Sequence, residues 1–158
     1  FELNWIVWIF GNITEVSCIK AKTSKLEADI DDVYQLILRF KEGGLGHMLV
    51  DVLASTPIRD CRIVCENGVI FWRWPQNEIK VHYLDEDKWE TYTVDEGVPE
   101  KGYVIGEKMY IDEIKQFVDA IKGISRYPYT IEEDLKILEI LYLAEKSSET
   151  GTHIKVTS

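Results

Sequence analysis

The stretch from Asp32 to Ser55 constrains this chain more than any other, because both of its halves alternate with period two. Successive side chains of a strand point to opposite faces, so such alternation marks a strand with one buried face. In the first half Tyr34, Leu36, Leu38 and Phe40 share one side, while Gln35 and Arg39, with Ile37 between them, share the other. In the second half Met48, Val50, Val52 and Ala54 face one way and His47, Leu49, Asp51 and Leu53 the other. Lys41 to Gly44 reads as the turn, since glycine accepts the positive φ of a tight reversal. The product is an antiparallel hairpin with one greasy face and one mixed face. The mixed face is either simply wet, as in a sheet packed on helices on one side, or a surface for binding or pairing.

The remainder of the chain supplies more strands and three helices. Glu2 to Phe10 is almost continuously apolar and stops at Gly11, a good helix terminator. A start in mid-helix, with no capping residue ahead, reads as a cut from a longer polypeptide. The missing part would cover some of Trp5, Ile6, Trp8 and Ile9. Ile13 to Thr23 reads as a strand, and Ser24 to Asp31 as a polar connection. A second hairpin runs from Arg59 to Cys65, turns at Glu66-Asn67-Gly68 and returns as VIFWRWP, Val69 to Pro75. Short strands follow at Glu78 to Tyr83 and Trp89 to Val94, then an acidic loop from Asp95 to Lys101. Met109, Ile111, Ile114, Phe117, Val118 and Ile121 recur at helical spacing between about Gly106 and Ile121. Thr130 and Glu133 form a capping box that opens the last helix. Its predicted apolar stripe is Leu135, Leu138, Leu141 and Ala144, widened by Ile137, Ile140 and Tyr142. His153 to Val156 reads as a short edge strand. The expected fold is α+β, a single domain over residues 1–158, with a largely antiparallel open β-sheet backed by helices on one face. Both C-terminal helices are expected over the greasy face.

Charge and cysteine usage narrow the partners. A formal net charge of −10 repels phosphate backbones and anionic membrane surfaces, and no Lys/Arg cluster interrupts it. Neither nucleic acid nor membrane is an expected partner, and no apolar run approaches the roughly 20 residues of a membrane-spanning helix. Cys61 and Cys65 fall on one strand, roughly 13 Å apart at strand rise, too far to bridge. Three cysteines, Cys18 included, with no secretory signal indicate reduced thiols and a cytoplasmic location.

Motifs for chemistry are few. Gly43-Gly44-Leu45-Gly46 turns a hairpin rather than leading a strand into a helix, and GxGxxG is absent, so no dinucleotide fingerprint is present. His47, His82 and His153 lack ligand spacing, so no metal site is expected. Neither a serine nor a cysteine sits in a nucleophile motif.

The segment ELNWIVWIFGNITEVS resembles H-E-I-D-x-L-x-W-L-F-G-x-V-x-x-V of the glucose–fructose oxidoreductase/inositol dehydrogenase (Gfo/Idh/MocA) family. The resemblance continues through Leu26 to Asp32, Leu36 to Phe40, Gly43-Gly44 and Arg62 to Gly68. It resumes at Tyr110 to Phe117 and at Glu132 to Lys146 before Gly151, in order and at the family's spacing. It implies the family's C-terminal domain, whose antiparallel sheet supports substrate binding and subunit pairing. NAD or NADP would then be held by a Rossmann half upstream, with no cofactor in this chain. The substrate would be a sugar-like small molecule, and the expected assembly is a homodimer through the open sheet face.

The family's catalytic histidine begins the H-x-x-D segment, and that position is Phe1 here; the aspartate of the segment is Asn4. Phenylalanine cannot exchange a proton, so no catalytic residue is assigned to this chain. Candidate substrate-binding residues are Asn4, Gln35, Arg39, His47, Asp51 and Tyr110. Gln35, Arg39, His47 and Asp51 share the mixed face by parity, and each is either a substrate contact or a solvated or interface residue. Tyr110 matches the tyrosine opening the family's Y-x-x-E helix and either approaches the cleft or packs in a core. Asn4 either bonds a sugar hydroxyl or caps an exposed helix start.

Overall fold

The computed structural model describes residues 2–93, 97, 101 and 108–157. Phe1, the predicted strand end at Val94, most of the acidic loop and the predicted helix start from Gly106 lie outside the described residues. The elements are α1 (Glu2–Phe10), β1 (Ile13–Ala21), β2 (Val33–Phe40), β3 (Leu45–Asp51), β4 (Asp60–Cys65), β5 (Gly68–Arg73), β6 (Glu78–Tyr83), β7 (Lys88–Thr93), α2 (Lys108–Ile121), α3 (Ile131–Thr150) and β8 (Ile154–Lys155). The antiparallel α+β class is as expected. The strands divide into two four-stranded sheets, ordered β3-β2-β1-β8 and β4-β5-β6-β7. The chain forms two compact units: one reaches from the N-terminus to Leu53 and resumes at Tyr129, and the other spans Ala54–Pro128.

In the first unit the alternation predicted for the central hairpin holds. Leu36, Leu38 and Phe40 are buried and Tyr34 half-buried, while Gln35, Ile37 and Arg39 are exposed. β2 pairs β3 with Leu36 opposite Met48 and Ile37 opposite His47. Gly43 and Gly44 turn the hairpin at φ of +96° and +95°, values that few other residues adopt. The greasy face packs against α1 and α3 in a core of Leu3, Val16, Leu36, Leu38, Ile137 and Ile140, among others. Phe10 of α1 meets the Phe40 ring at 5.3 Å between centroids. Each large aliphatic buried here contributes about 1.5–3 kcal/mol. Ile13 and Val16 both reach this core because β1 carries a bulge between Ile13 and Glu15, which resets the parity of the strand.

Three expectations about this core need correction. α1, not α2, shares the core with α3: no residue of α2 is buried. Val52 lies beyond the end of β3 and is 59% exposed, so it joins no face. On α3 the buried stripe is Ile137, Ile140, Ala144 and Ser147, whereas Leu135, Leu138, Leu141 and Tyr142 are exposed. The reason lies in β1. Its partner β8 reaches only Glu15 and Val16, so the next outward amides of β1 lack a strand. Small residues on α3 allow the helix close to that edge, where Ser147 Oγ accepts from Cys18 N at 3.0 Å and Ser148 Oγ accepts from Lys20 N at 3.0 Å. Ser147 in turn donates to the Thr152 carbonyl at 2.6 Å. The predicted capping box is present: Thr130 Oγ1 accepts from Glu133 N, and Glu133 Oε2 accepts from Thr130 N.

Asp32 anchors the connection ahead of β2. Its carboxylate accepts from Thr23 N, Thr23 Oγ1 and Ser24 N at 2.7–2.9 Å, and its residue is 2% exposed. Ser24 and Thr23 donors hold this carboxyl far below the usual carboxylate range against the opposing effect of burial.

In the second unit the sheet β4-β5-β6-β7 is a meander in strict register. Gly68 is fixed by sterics, since a Cβ there would lie 2.0 Å from the His82 carbonyl oxygen. A 3-10 turn over Trp74–Gln76 joins β5 to β6 and ends at Asn77 with φ of +46°.

Two outcomes follow from the polar anchors. Ser147→Ala strands the buried Cys18 amide and should cost about 1–3 kcal/mol in urea melts, with a smaller loss for Ser148→Ala; equal losses would contradict this account. A depressed folded pKa means Asp32 stabilises the fold above its unfolded value of about 3.9 and loses that contribution as pH falls below it. Melting temperature should therefore drop less steeply on acidification in Asp32→Asn than in the wild type, and identical slopes would exclude the anchor.

Candidate functional site

The open face of the first sheet collects most of the candidate residues. Pairing places Leu49, Gln35 and Ile19 in one row, His47, Ile37 and Ser17 in the next, and Leu45, Arg39 and Glu15 in a third. Gln35, Arg39, His47 and Asp51 thus share one surface, as parity predicts. Gln35 and His47 are exposed and make no side-chain hydrogen bond among the described residues. Asp51 Oδ1 accepts from Leu53 N at 3.0 Å and so ends β3 with a local turn.

Arg39 has a defined role. Its Nε donates to Glu15 Oε2 at 2.6 Å, and His153 Nε2 stands 3.2 Å from the same oxygen. Ser17 Oγ lies 3.2 Å from His153 Nδ1. Arg39 above all, with His153 and Lys155 adding, lowers the Glu15 pKa despite some desolvation. A serine, a histidine and a carboxylate in line suggest a nucleophile relay, but this group stands on an open sheet with exposed Ile37 and Leu45 beside it. Its glutamate is also committed to Arg39. The arrangement can fix charges on a contact surface.

The other two candidates lie elsewhere. Asn4 is on α1, over the buried face of the sheet, and its Nδ2 donates to Tyr129 OH at 2.8 Å. Tyr129 OH donates onward to Asp134 Oδ1 at 3.0 Å. Burial first, then the Asp134 carboxylate, raises the Tyr129 pKa, so the phenol keeps its proton. The direction of this chain uses the Asn4 amide NH2 as donor and leaves Oδ1 as its acceptor. Tyr110 belongs to the second unit, exposed on α2 beside Ile111, Ile114 and Val118. The six residues are therefore four on one sheet face and two apart from it.

Glu15, Ser17, Tyr129 and Asp134 carry no signal in the sequence, and His153 is weighed there only as a metal ligand. The bulge in β1 disguises which side Glu15 and Ser17 occupy. His153 and Tyr129 reach their partners across 138 and 125 positions of chain (153 minus 15, and 129 minus 4), which no local pattern reports. Among the described residues no cluster of three His, Cys, Asp or Glu side chains is placed to hold a metal ion. The only GxG-type turn, at Gly43 to Gly46, joins two strands, so it does not fit a dinucleotide, whose phosphates need amides at a helix start.

Comparison with known proteins agrees with this architecture. Residues 1–71 match the model of the GFO/IDH/MocA C-terminal domain. The resemblance read from the sequence is borne out over that stretch, which runs from α1 into β5. No curated protein sequence matches the chain. Among solved structures, an oxidoreductase domain protein from Kribbella flavida is similar with a TM-score of 0.82 at 17% identity, over 99% of this chain and 48% of that one. Levoglucosan dehydrogenase, solved with NADH and levoglucosan, gives 0.75 at 18% identity, over 96% and 47%. The WlbA dehydrogenase from Bordetella pertussis, solved with NADH and UDP-GlcNAcA, gives 0.69 at 17% identity, over 99% and 44%. At such identities the likeness is one of fold, the Gfo/Idh/MocA C-terminal fold. This chain spans less than half the length of each of these proteins.

Proposed function

We propose that this chain is the C-terminal half of an NAD(P)-dependent oxidoreductase acting on a hydroxyl of a sugar, an inositol or a sugar nucleotide. The observation that carries this reading is end-to-end likeness to just under half of each of these three oxidoreductase chains. Two of those proteins were solved with NADH and a sugar or sugar nucleotide. The cofactor, which supplies the hydride chemistry, would be held by the other half, because this chain's glycine turn joins two strands.

On this reading the present chain binds and orients. Asn4 offers Oδ1 as an acceptor for a substrate hydroxyl, with its amide held in one orientation by Tyr129 and Asp134. Phe1, at the position of the family's histidine, cannot move a proton, so proton transfer falls to the other half and the chain alone is inactive. Tyr110 is a further substrate-facing candidate on α2. A cytoplasmic location suits the free thiols of Cys18, Cys61 and Cys65. Phe1 also favours a second reading: a non-catalytic ligand-binding or dimerisation module of the same fold.

Both readings give the open face of the first sheet to a homodimer. Ile19, Ile37, Leu45 and Leu49 are 54–72% exposed there, interleaved with Gln35, Arg39, His47 and Asp51, a mixture suited to an isologous interface.

Calorimetric titration of this chain with NAD and with NADP should show no binding; micromolar affinity for either would overturn the division of labour. Sedimentation equilibrium should show a dimer that tightens with salt, as the net charge of −10 is screened. Leu49→Asp should yield monomer, and a dimer indifferent to that change would remove the open face from the interface.

A further inference from the structure

The sheet of the second unit carries a feature that the oxidoreductase reading does not use. On one face of β4-β5-β6-β7, register places Val64, Val69, His82 and Trp89 in one row and Arg62, Phe71, Lys80 and Thr91 in the next. Trp89 stands on β7, yet its ring packs 4.7 Å from the His82 ring on β6 and 6.0 Å from the Phe71 ring on β5. The indole therefore reclines across β6 toward β5 instead of standing off the sheet. His82 is held beneath it by Asp87 Oδ1 at 3.1 Å from Nε2. Trp89 is still 53% exposed, so the side turned away from His82 is open. The result is a cluster of three aromatic rings, with Phe71 and His82 tilted 31° and 39° to the indole, that leaves one side of the indole as an apolar surface.

Polar groups around the platform indicate what would lie on it. Arg62 and Lys80 flank Phe71 as donors, Glu78 lies 3.2 Å from Lys80, and Thr91 sits beside Trp89 in the neighbouring row. On this face Arg62, Arg73 and Lys80 are balanced by Asp60, Glu78 and Asp87. A balanced rim offering donors and acceptors suits a neutral polyhydroxylated ligand, whose hydroxyls take both. A polyanion is disfavoured by the net charge of −10. A pyranose ring supplies the matching shape, with an apolar C–H face for the indole and an equatorial belt of hydroxyls for the rim.

We propose that Trp89, Phe71 and His82 form a carbohydrate-stacking platform on this sheet face, flanked by Arg62, Lys80 and Glu78. It binds a neutral pyranose chain and uses none of the substrate-site residues proposed above. The test is titration of the chain with cellotetraose and with maltotetraose, following the indole N–H resonances of its five tryptophans. The Trp89 resonance should shift saturably with at least one of the two sugars. Trp89→Leu, which keeps an apolar cover over His82 without a flat ring, should weaken binding about tenfold or more, as expected for the loss of a stacked ring. Trp89→Phe should retain part of it, and Trp8→Ala, at an exposed tryptophan of the other unit, should leave it unchanged. No Trp89 shift with either sugar overturns the proposal. So does undiminished binding in Trp89→Leu, or a dimer that becomes monomeric on Trp89→Leu, which would show a second copy of the chain occupying the platform. A null result in the sugar titrations would leave the cofactor and open-face results untouched, whereas a monomer on Trp89→Leu would also take the dimer away from the open face of the first sheet.

Discussion

The first unit depends on how the outer edge of β1 is satisfied. β1 is the strand through which the N-terminal hairpin meets the C-terminal helix, and a buried amide without a partner would destabilise that junction. β8 supplies a strand for only two residues of it. Beyond them the helix itself takes over, with Ser147 and Ser148 presenting hydroxyls to Cys18 and Lys20. That requirement chooses the rotation of α3. The helix turns Ile137, Ile140, Ala144 and Ser147 inward, and Leu135, Leu138 and Leu141 face outward as a consequence. A backbone hydrogen-bonding need thus overrides the apolar pattern of the helix.

This override marks where the sequence was legible. Period-two alternation located the central hairpin, its turn and both of its faces, because burial on one side of a strand forces that pattern. The capping box located the start of α3 for an equally local reason. The buried face of α3 was not legible, since its apolar residues nearly encircle it and the deciding partner lies on β1. The division of the strands into two sheets was hidden as well: hairpin patterns report neighbours, not where a meander ends and another begins.

The candidate site shows the same boundary. Parity grouped Gln35, Arg39, His47 and Asp51 on one face, and the structure brings them onto one surface. What local patterns could not supply was Arg39's partner. Glu15 comes from a bulged strand and His153 from the far end of the chain, and together they turn an isolated cation into part of a charge network. Asn4 likewise gains meaning from Tyr129 and Asp134, which decide that its carbonyl oxygen is the atom on offer.

The order in which the first unit's pieces occur along the chain has a consequence for biosynthesis. Its strands β1, β2 and β3 are complete by Asp51, but the residues that close β1 arrive only with Ser147 to Lys155. Between them lies the whole second unit, Ala54–Pro128, whose meander pairs only with sequence neighbours and can form early. A ribosome therefore releases a nascent chain whose inserted unit can be finished while the unit around it still shows an unpaired edge and an uncovered apolar face. Such intermediates are what chaperones capture. Slow codons or delayed release ahead of α3 would lengthen the time this polypeptide spends open to aggregation, whatever the stability of its finished fold.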